Sequence, residues 1–499
     1  MDQPATSELG AGAPTAAHGV ARVDVRAVNK KEHRSAYQKR LKIFPKKARG
    51  GFRRLKWGIM ALTLSAYYLA PWLRWDRGPS APDQAILLDI PARRFYFFFI
   101  EIWPQEIYYL TGLLILAAFG LFLATSLFGR VWCGYTCPQT VWTDLFIAVE
   151  RMVEGDRGAR MRLDKAPWSA TKIGKRVVKH GIWLIIAMMT GGAWVFYFAD
   201  APSLLGELVT LQAPPIAYIA IGVLTFTTYI LGGLAREQVC IYMCPWPRIQ
   251  AAMVDVDSMI VTYRGYRGEP RGPHRKGEPW EGRGDCIDCN NCVAVCPTGI
   301  DIRDGSQLEC INCGLCVDAC NDVMDRIHRP RGLIAYDTFA NVERRASGKS
   351  ARVKLLRARP LIYAGSMVAV AAVMVFGLST RATLDVNVLR DRNPLFVTLS
   401  DGSIRNGYTV KIINKQHERR TYRLTVEGLP GHRVRVVGRD GAGAPMLPVP
   451  ADRLASYRVL VSAPVDVLKG QSTPIVFLLT DTAGGTRVSY DAVFRGPGG

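Results

Sequence analysis

At 499 residues the chain is long enough for several folding units, so no single core need account for it. The net charge of +22 falls in basic stretches that alternate with long apolar runs, the pattern of a membrane protein with soluble parts. Cations placed beside apolar runs meet anionic headgroups and fix topology, which argues against nucleic acid as the partner.

Residues 1–56 read as a flexible, basic cytosolic tail with neither the apolar core nor the cleavage site of a signal peptide. Five segments then reach membrane length: about Trp57 to Leu73, Tyr108 to Phe128, Gly181 to Phe198, Ile216 to Leu234 and Leu361 to Leu378. The apolar run Phe95 to Trp103 is interrupted by charge and followed by Pro104, and reads as a re-entrant or interfacial piece. Fourteen Lys and Arg lie between Arg22 and Lys56 and ten between Arg130 and Lys179, whereas the loop Asp200 to Pro215 has none. The positive-inside rule therefore puts the N-terminus and the region after Leu234 in the cytosol, and everything beyond Leu378 outside. Four arginines between Arg74 and Arg94 run against this orientation without reversing it. Past Thr380, the strand-like runs at 395–399, 408–413, 422–426, 475–479 and 488–493 are punctuated by Asp401-Gly402, Asn406-Gly407 and Gly484-Gly485. That pattern predicts an immunoglobulin-like β-sandwich over 381–499, without cysteine and suited to docking.

All twelve cysteines fall in four motifs. Cys286, Cys289, Cys292 and Cys296, then Cys310, Cys313, Cys316 and Cys320, form two C-x2-C-x2-C-x3-C runs of bacterial ferredoxin type. Three thiolates on a tight loop cap one face of a cubane, and the fourth corner comes from the other run. The expected sets are Cys286, Cys289, Cys292 and Cys320 for one 4Fe-4S cluster, and Cys296, Cys310, Cys313 and Cys316 for the other. Disulfides are disfavoured in a reducing cytosol, and zinc sites do not use this tandem. Asn321 stands where a proline would follow the second run, as Pro297 follows the first.

Cys133-Gly-Tyr-Thr-Cys137-Pro138 and Cys240-Ile-Tyr-Met-Cys244-Pro245 each follow an apolar span, which suggests an internal repeat. Cys137 and Cys244 would cap helices beginning at Gln139 and Trp246, where the helix dipole favours thiolate. If the repeats pack together, four sulfurs converge near Met243 as soft ligands for Cu(I). Helix packing and disulfide formation are the alternatives for these four cysteines. No histidine lies inside a span, and His180 stands alone at the edge of one, so paired axial ligands for a membrane haem are missing. The nucleotide-binding glycine motifs are missing as well.

These motifs, with Trp103-Pro-Gln105, Phe128 through Trp142, Cys240 through Trp246, Gly284 through Cys320 and Arg331 through Asp337, resemble the cytochrome c oxidase accessory proteins of the CcoG/FixG/RdxA family. The resemblance implies a bacterial inner-membrane protein acting in assembly of cbb3-type haem–copper oxidase as a cupric reductase. Its partners would be a cytosolic electron donor, membrane lipid, and oxidase subunits or copper carriers, with copper as substrate at Cys133, Cys137, Cys240 and Cys244. The expected architecture is a polytopic α-helical membrane protein of about five spans. A four-span domain covers 57–259, a cytosolic dicluster ferredoxin domain 260–345, a fifth helix 361–380, and a periplasmic sandwich the rest. The alternative is a membrane electron conduit, of the kind that polyferredoxin quinol dehydrogenase subunits form, feeding a periplasmic reductase.

Overall fold

The computed structural model describes residues 20–29, 41–79, 81–275, 277–381, 384–416, 418–439, 444–468 and 470–497. The remainder of the tail expected over 1–56 lies outside them. The chain divides into two compact units, 1–73 with 85–374, and 74–84 with 375–499.

Among the described residues, four helices are long and apolar enough to cross a membrane: Tyr108–Phe128, Ala170–Val195, Pro215–Ala235 and Ala358–Ser379. The segment expected to be the first of five spans is also helical, Gly51–Leu69, but Arg53, Arg54 and Lys56 occupy its first two turns. Those charges shorten its apolar length and leave four helices that qualify. Gly191 lets Ala170–Val195 lie close on the next helix, since a Cβ there would stand 2.8 Å from the Ile221 carbonyl oxygen. The run Phe95–Trp103 is neither helix nor simple loop. Ile86–Asp89, Arg94–Phe97 and Ile100–Ile102 form a three-stranded antiparallel sheet, in which Arg94 pairs with Glu101 at 2.9 Å.

Charged side chains knit the helix ends together. Glu150, on helix Pro138–Glu154, accepts from fully buried Arg160 at 2.9 Å and from Arg236 at 3.0 Å. Lys179 bridges Glu150 and Glu154 at 3.5 and 2.9 Å. Burial pushes the Glu150 carboxyl up, but Arg236, Arg160 and Lys179 outweigh it and hold it at about 2. Phe146 and Trp183 stack beneath this cluster with centroids 5.4 Å apart.

The cysteine-rich segment is framed by an antiparallel pair, Ile260–Tyr263 with Ile334–Asp337, and by helices Asn291–Val295 and Leu315–Arg326. Part of the described tail, expected to be flexible, is docked on it, and Lys42, Phe44, Pro45 and Lys47 are held by the helices over 138–165. Val20 is buried against Ile287, Met324 and Leu333, Val23 donates to the Cys289 carbonyl at 3.0 Å, and Val28 to that of Gly299 at 2.8 Å. Farther along, Lys46 donates to the Ala294 carbonyl at 2.8 Å. Short apolar residues at alternate positions let a polar segment satisfy its backbone on a neighbouring domain, which composition does not reveal.

The second unit is a sandwich of two antiparallel sheets. One sheet runs Arg433–Val436, Arg453–Ala463, Ile404–Asn414, Leu384–Arg390; the other runs Met446–Val449, Arg420–Glu427, Ser472–Asp481, Arg487–Arg495. Alternate residues such as Val410, Ile412, Leu424, Phe477 and Phe494 fill the space between them. The expected turn at Asn406-Gly407 lies instead inside strand Ile404–Asn414. Asn406 is buried, and its amide pairs with the backbone of Arg495 at 2.7 and 2.8 Å, so its polar group is spent on a neighbouring strand.

Candidate iron–sulfur centre and thiol cluster

The two cysteine runs fold alike. Asp288 and Asn290 take left-handed backbone angles (φ 52° and 56°) between Cys286 and Cys292; Asn312 and Gly314 do so (φ 53° and 71°) at the matching positions between Cys310 and Cys316. Asp, Asn and Gly tolerate this region best. Two such residues per loop curl the backbone, and the three thiols of each loop line one cavity. One cavity is lined by Cys286, Cys289, Cys292 and Cys320 together with Ile287, Val323, Leu333 and Ile334. Another is lined by Cys296, Cys310, Cys313 and Cys316, with Ile300, Ile302, Leu315 and also Cys292.

Burial pushes the thiols of Cys292 and Cys316 well above the ordinary cysteine value, and those of Cys310 and Cys320 up to about 12. Thiolates in such surroundings need a bound cation, so iron would displace protons as it enters. Each expected set of four thiols lines one cavity, Cys292 reaching both, among mostly apolar neighbours with Arg303, Asn290 and Asn291 at the first, which suits a cubane. Asn321 lies inside helix Leu315–Arg326, where proline would break the helix, and its side chain accepts from Gly332 N at 2.9 Å. Pro297, by contrast, follows the end of its helix.

Helix Pro138–Glu154 begins at the expected proline with Cys137 as its N-cap residue. Cys244 is extended (φ −80°, ψ 126°) before Pro245, which already has helical angles. Cys137 makes no side-chain capping bond, and the N-cap of helix Trp246–Met253 is Pro245 rather than the expected Cys244, because the proline already has helical angles. A hydrogen bond joins the first motif to the helix after the second. Cys133 Sγ donates to Gln250 Oε1 at 3.0 Å, and Gln250 lies on the helix that follows Cys244. Burial pushes Cys240 up to about 12, with Cys137, Cys133 and Cys244 adding to the rise, so the four sulfurs stand within electrostatic reach. Among the described residues, no three His, Cys, Asp or Glu side chains converge tightly enough to grip a single ion. Met243 is 64% exposed. The second motif differs from the first in winding: the chain takes π geometry over Tyr229–Ala235 and again over Val239–Met243.

The first motif rests directly on the second cysteine loop. Cys133 shares a buried cluster with Cys313, Ile311, Val295 and Ala48. A Cβ on Gly134 would stand 2.6 Å from the Ile311 carbonyl oxygen, an approach only glycine allows. Tyr135 donates to the Cys313 carbonyl at 3.1 Å, Tyr336 donates to that of Asn312, and Arg130 to that of Leu308. Sequence reasoning missed Arg130, Tyr135, Gln250 and Tyr336. The tyrosine two residues after the first cysteine of each motif (Tyr135, Tyr242) is the one signal that could have drawn attention to Tyr135. His180 is paired with the Tyr229 hydroxyl at 2.8 Å.

A fold of apolar helices carrying a two-run cysteine domain defines a membrane-associated iron–sulfur electron-transfer protein. Family descriptions agree: a 4Fe-4S dicluster domain matches residues 235–339, and a 4Fe-4S binding domain matches 110–153, a stretch whose cysteines are Cys133 and Cys137. The Ig-like fold at the C-terminus of FixG matches 374–497. The nitrogen fixation protein FixG of Rhizobium meliloti is 52% identical over 96% of this chain and 97% of its own length. Protein RdxB of Cereibacter sphaeroides is 53% identical over 93% and 98%. A FixG-related crystal structure from Vibrio parahaemolyticus covers 23% of this chain and 97% of its own at 28% identity, with a TM-score of 0.20. The chain belongs to the FixG/RdxA family.

Proposed function

We propose that this protein passes electrons from a cytosolic donor, through two 4Fe-4S clusters, to Cu(II) at Cys133, Cys137, Cys240 and Cys244, and so provides Cu(I) for assembly of a cbb3-type oxidase. The observation that carries the reading is the contact between the first C-x3-C-P motif and the loop of Cys310 to Cys316. Cys133 is packed with Cys313, and Tyr135 binds the Cys313 carbonyl. Clusters, when bound, hold and release single electrons. Cys286, Cys289, Cys292 and Cys320 would ligate one, and Cys296, Cys310, Cys313 and Cys316 the other. The chain keeps the second set apposed to the thiols through Gly134, Tyr135 and Arg130. Each Cu(II) takes one electron and leaves as Cu(I), and soft sulfur ligands favour the reduced ion. Loop charge supports a cytosolic ferredoxin domain and a periplasmic sandwich that docks the oxidase or a copper carrier.

The rival reading is an electron conduit to a quinone or a periplasmic reductase, in which the four cysteines of the C-x3-C-P motifs orient the partner. Cu(II) and a soluble quinone, offered side by side to dithionite-reduced protein with the clusters followed optically, separate the two. Faster cluster oxidation by Cu(II), with Cu(I) trapped by a chelator, supports copper. Faster oxidation by quinone, with no Cu(I) formed, removes it.

A further inference from the structure

We propose that a basic groove at the start of helix Gly51–Leu69 binds the headgroup of an anionic phospholipid. The groove, about 820 Å³, runs between that helix and Pro138–Glu154. Its lining includes five cations, Lys47, Arg49, Arg53, Arg54 and Arg151, against one carboxylate, Asp156.

Part of this polar surface is already engaged. Arg53 Nη1 donates to both carboxylate oxygens of Asp144 at 2.9 Å, Arg151 Nη2 donates to the Pro45 and Lys46 carbonyls, and Asp156 accepts from Lys47 N at 3.0 Å. The N–H groups of Phe52 and Arg53 are taken by Asp318 at 3.2 and 2.7 Å, so the helix terminus itself is not the site. The exposed side chains of Lys47, Arg49 and Arg54 present the charge that a ligand meets. Charge alone would suit any anion, but the same groove has an apolar side. Trp57 and Met152 line it and are 40% and 72% exposed. Beyond Trp57 the helix continues apolar, and Tyr67 and Tyr68 bond Thr190 of membrane-length helix Ala170–Val195 at 2.8 Å. The cations thus stand at the end of a helix that runs beside a bilayer-crossing one, with an aromatic at the boundary, which is where headgroups lie. A ligand with an anionic head and an acyl body matches both parts of the groove; free phosphate matches only the first.

The test uses full-length protein in a non-ionic detergent, with lipid retention read by native mass spectrometry. Dioleoyl phosphatidylglycerol, dioleoyl phosphatidylcholine and inorganic phosphate are the probes. Wild type is expected to retain the glycerol lipid at least tenfold more tightly than the choline lipid. An R49Q/R54Q double variant with full iron content is expected to lose about thirtyfold of that affinity, since each cation near an anionic headgroup contributes about fivefold. An R487Q control in the sandwich keeps it. If the double variant loses iron, the wild-type preference and its weakening by salt decide the matter alone. Equal retention of both lipids, unchanged binding in a loaded double variant, or competition by phosphate at the lipid's own concentration overturns the proposal.

Discussion

Replacing Gly134 with alanine tests whether the first C-x3-C-P motif and the second cysteine loop work as one piece. The added methyl would lie 2.6 Å from the Ile311 carbonyl oxygen and 3.2 Å from the backbone of Asn312. Both neighbours are backbone, so neither can rotate away. Relief to ordinary contact means moving the loop or the motif by several tenths of an ångström, and overpacking of this kind costs about 1–3 kcal/mol. The same displacement loosens the Tyr135 bond to Cys313 and the packing of Cys133 on Cys313. Purified G134A should keep about eight irons, as two four-iron clusters require. It should melt lower than wild type and reoxidise more slowly when Cu(II) is added to dithionite-reduced protein. Stopped-flow absorbance measures the rate, and EPR reports whether the cluster bound to the Cys310 loop has changed. Wild-type stability together with a wild-type rate would refute the apposition.

Further outcomes follow from the charged network and the docked termini. E150Q leaves Arg160 buried without its carboxylate, and breaking such a pair by removing one partner costs about 3–5 kcal/mol, read as a lowered melting point near neutral pH. Because Glu150 titrates at about 2 in the fold and near 4.5 ordinarily, its contribution is complete above about pH 5. It is lost as pH falls from about 4.5 towards 2, so the gap between wild type and E150Q should narrow in acid. D318A removes the acceptor for the first N–H groups of helix Gly51–Leu69 and should cost about 0.5–2 kcal/mol, with iron content unchanged. A melting curve identical to wild type would mean that the cap contributes nothing.

The cysteine spacing predicts two ligand sets, and the structure lines one cavity with Cys286, Cys289, Cys292 and Cys320 and another with Cys296, Cys310, Cys313, Cys316 and Cys292. Asp288, Asn290, Asn312 and Gly314 could have been read as the left-handed residues that bend each loop, since their types and spacing repeat. The contacts between the motif of Cys133 and the loop of Cys313 could not, for they join residues far apart in sequence through backbone carbonyls that carry no side-chain signature. Asp318 as a cap for Phe52 and Arg53 is hidden for the same reason. In the sandwich, strand Arg453–Ala463 went unrecognised because arginine, serine and tyrosine alternate with its apolar residues, and its outer half is exposed. Asn406-Gly407 misled in the opposite sense: a dipeptide that usually turns is held straight by Arg495. The three-stranded sheet after Ile86 was masked by aromatic residues, which serve strands and membrane interfaces equally well.

The most direct measurement is a single-turnover reaction of Cu(II) with reduced protein in which Cys133 and Cys137 are both serine and both clusters are verified by EPR and iron analysis. Electron delivery through the thiol cluster predicts that cluster oxidation by Cu(II) is abolished while the clusters stay intact. Oxidation at the wild-type rate, with Cu(I) still appearing in the chelator, would contradict it.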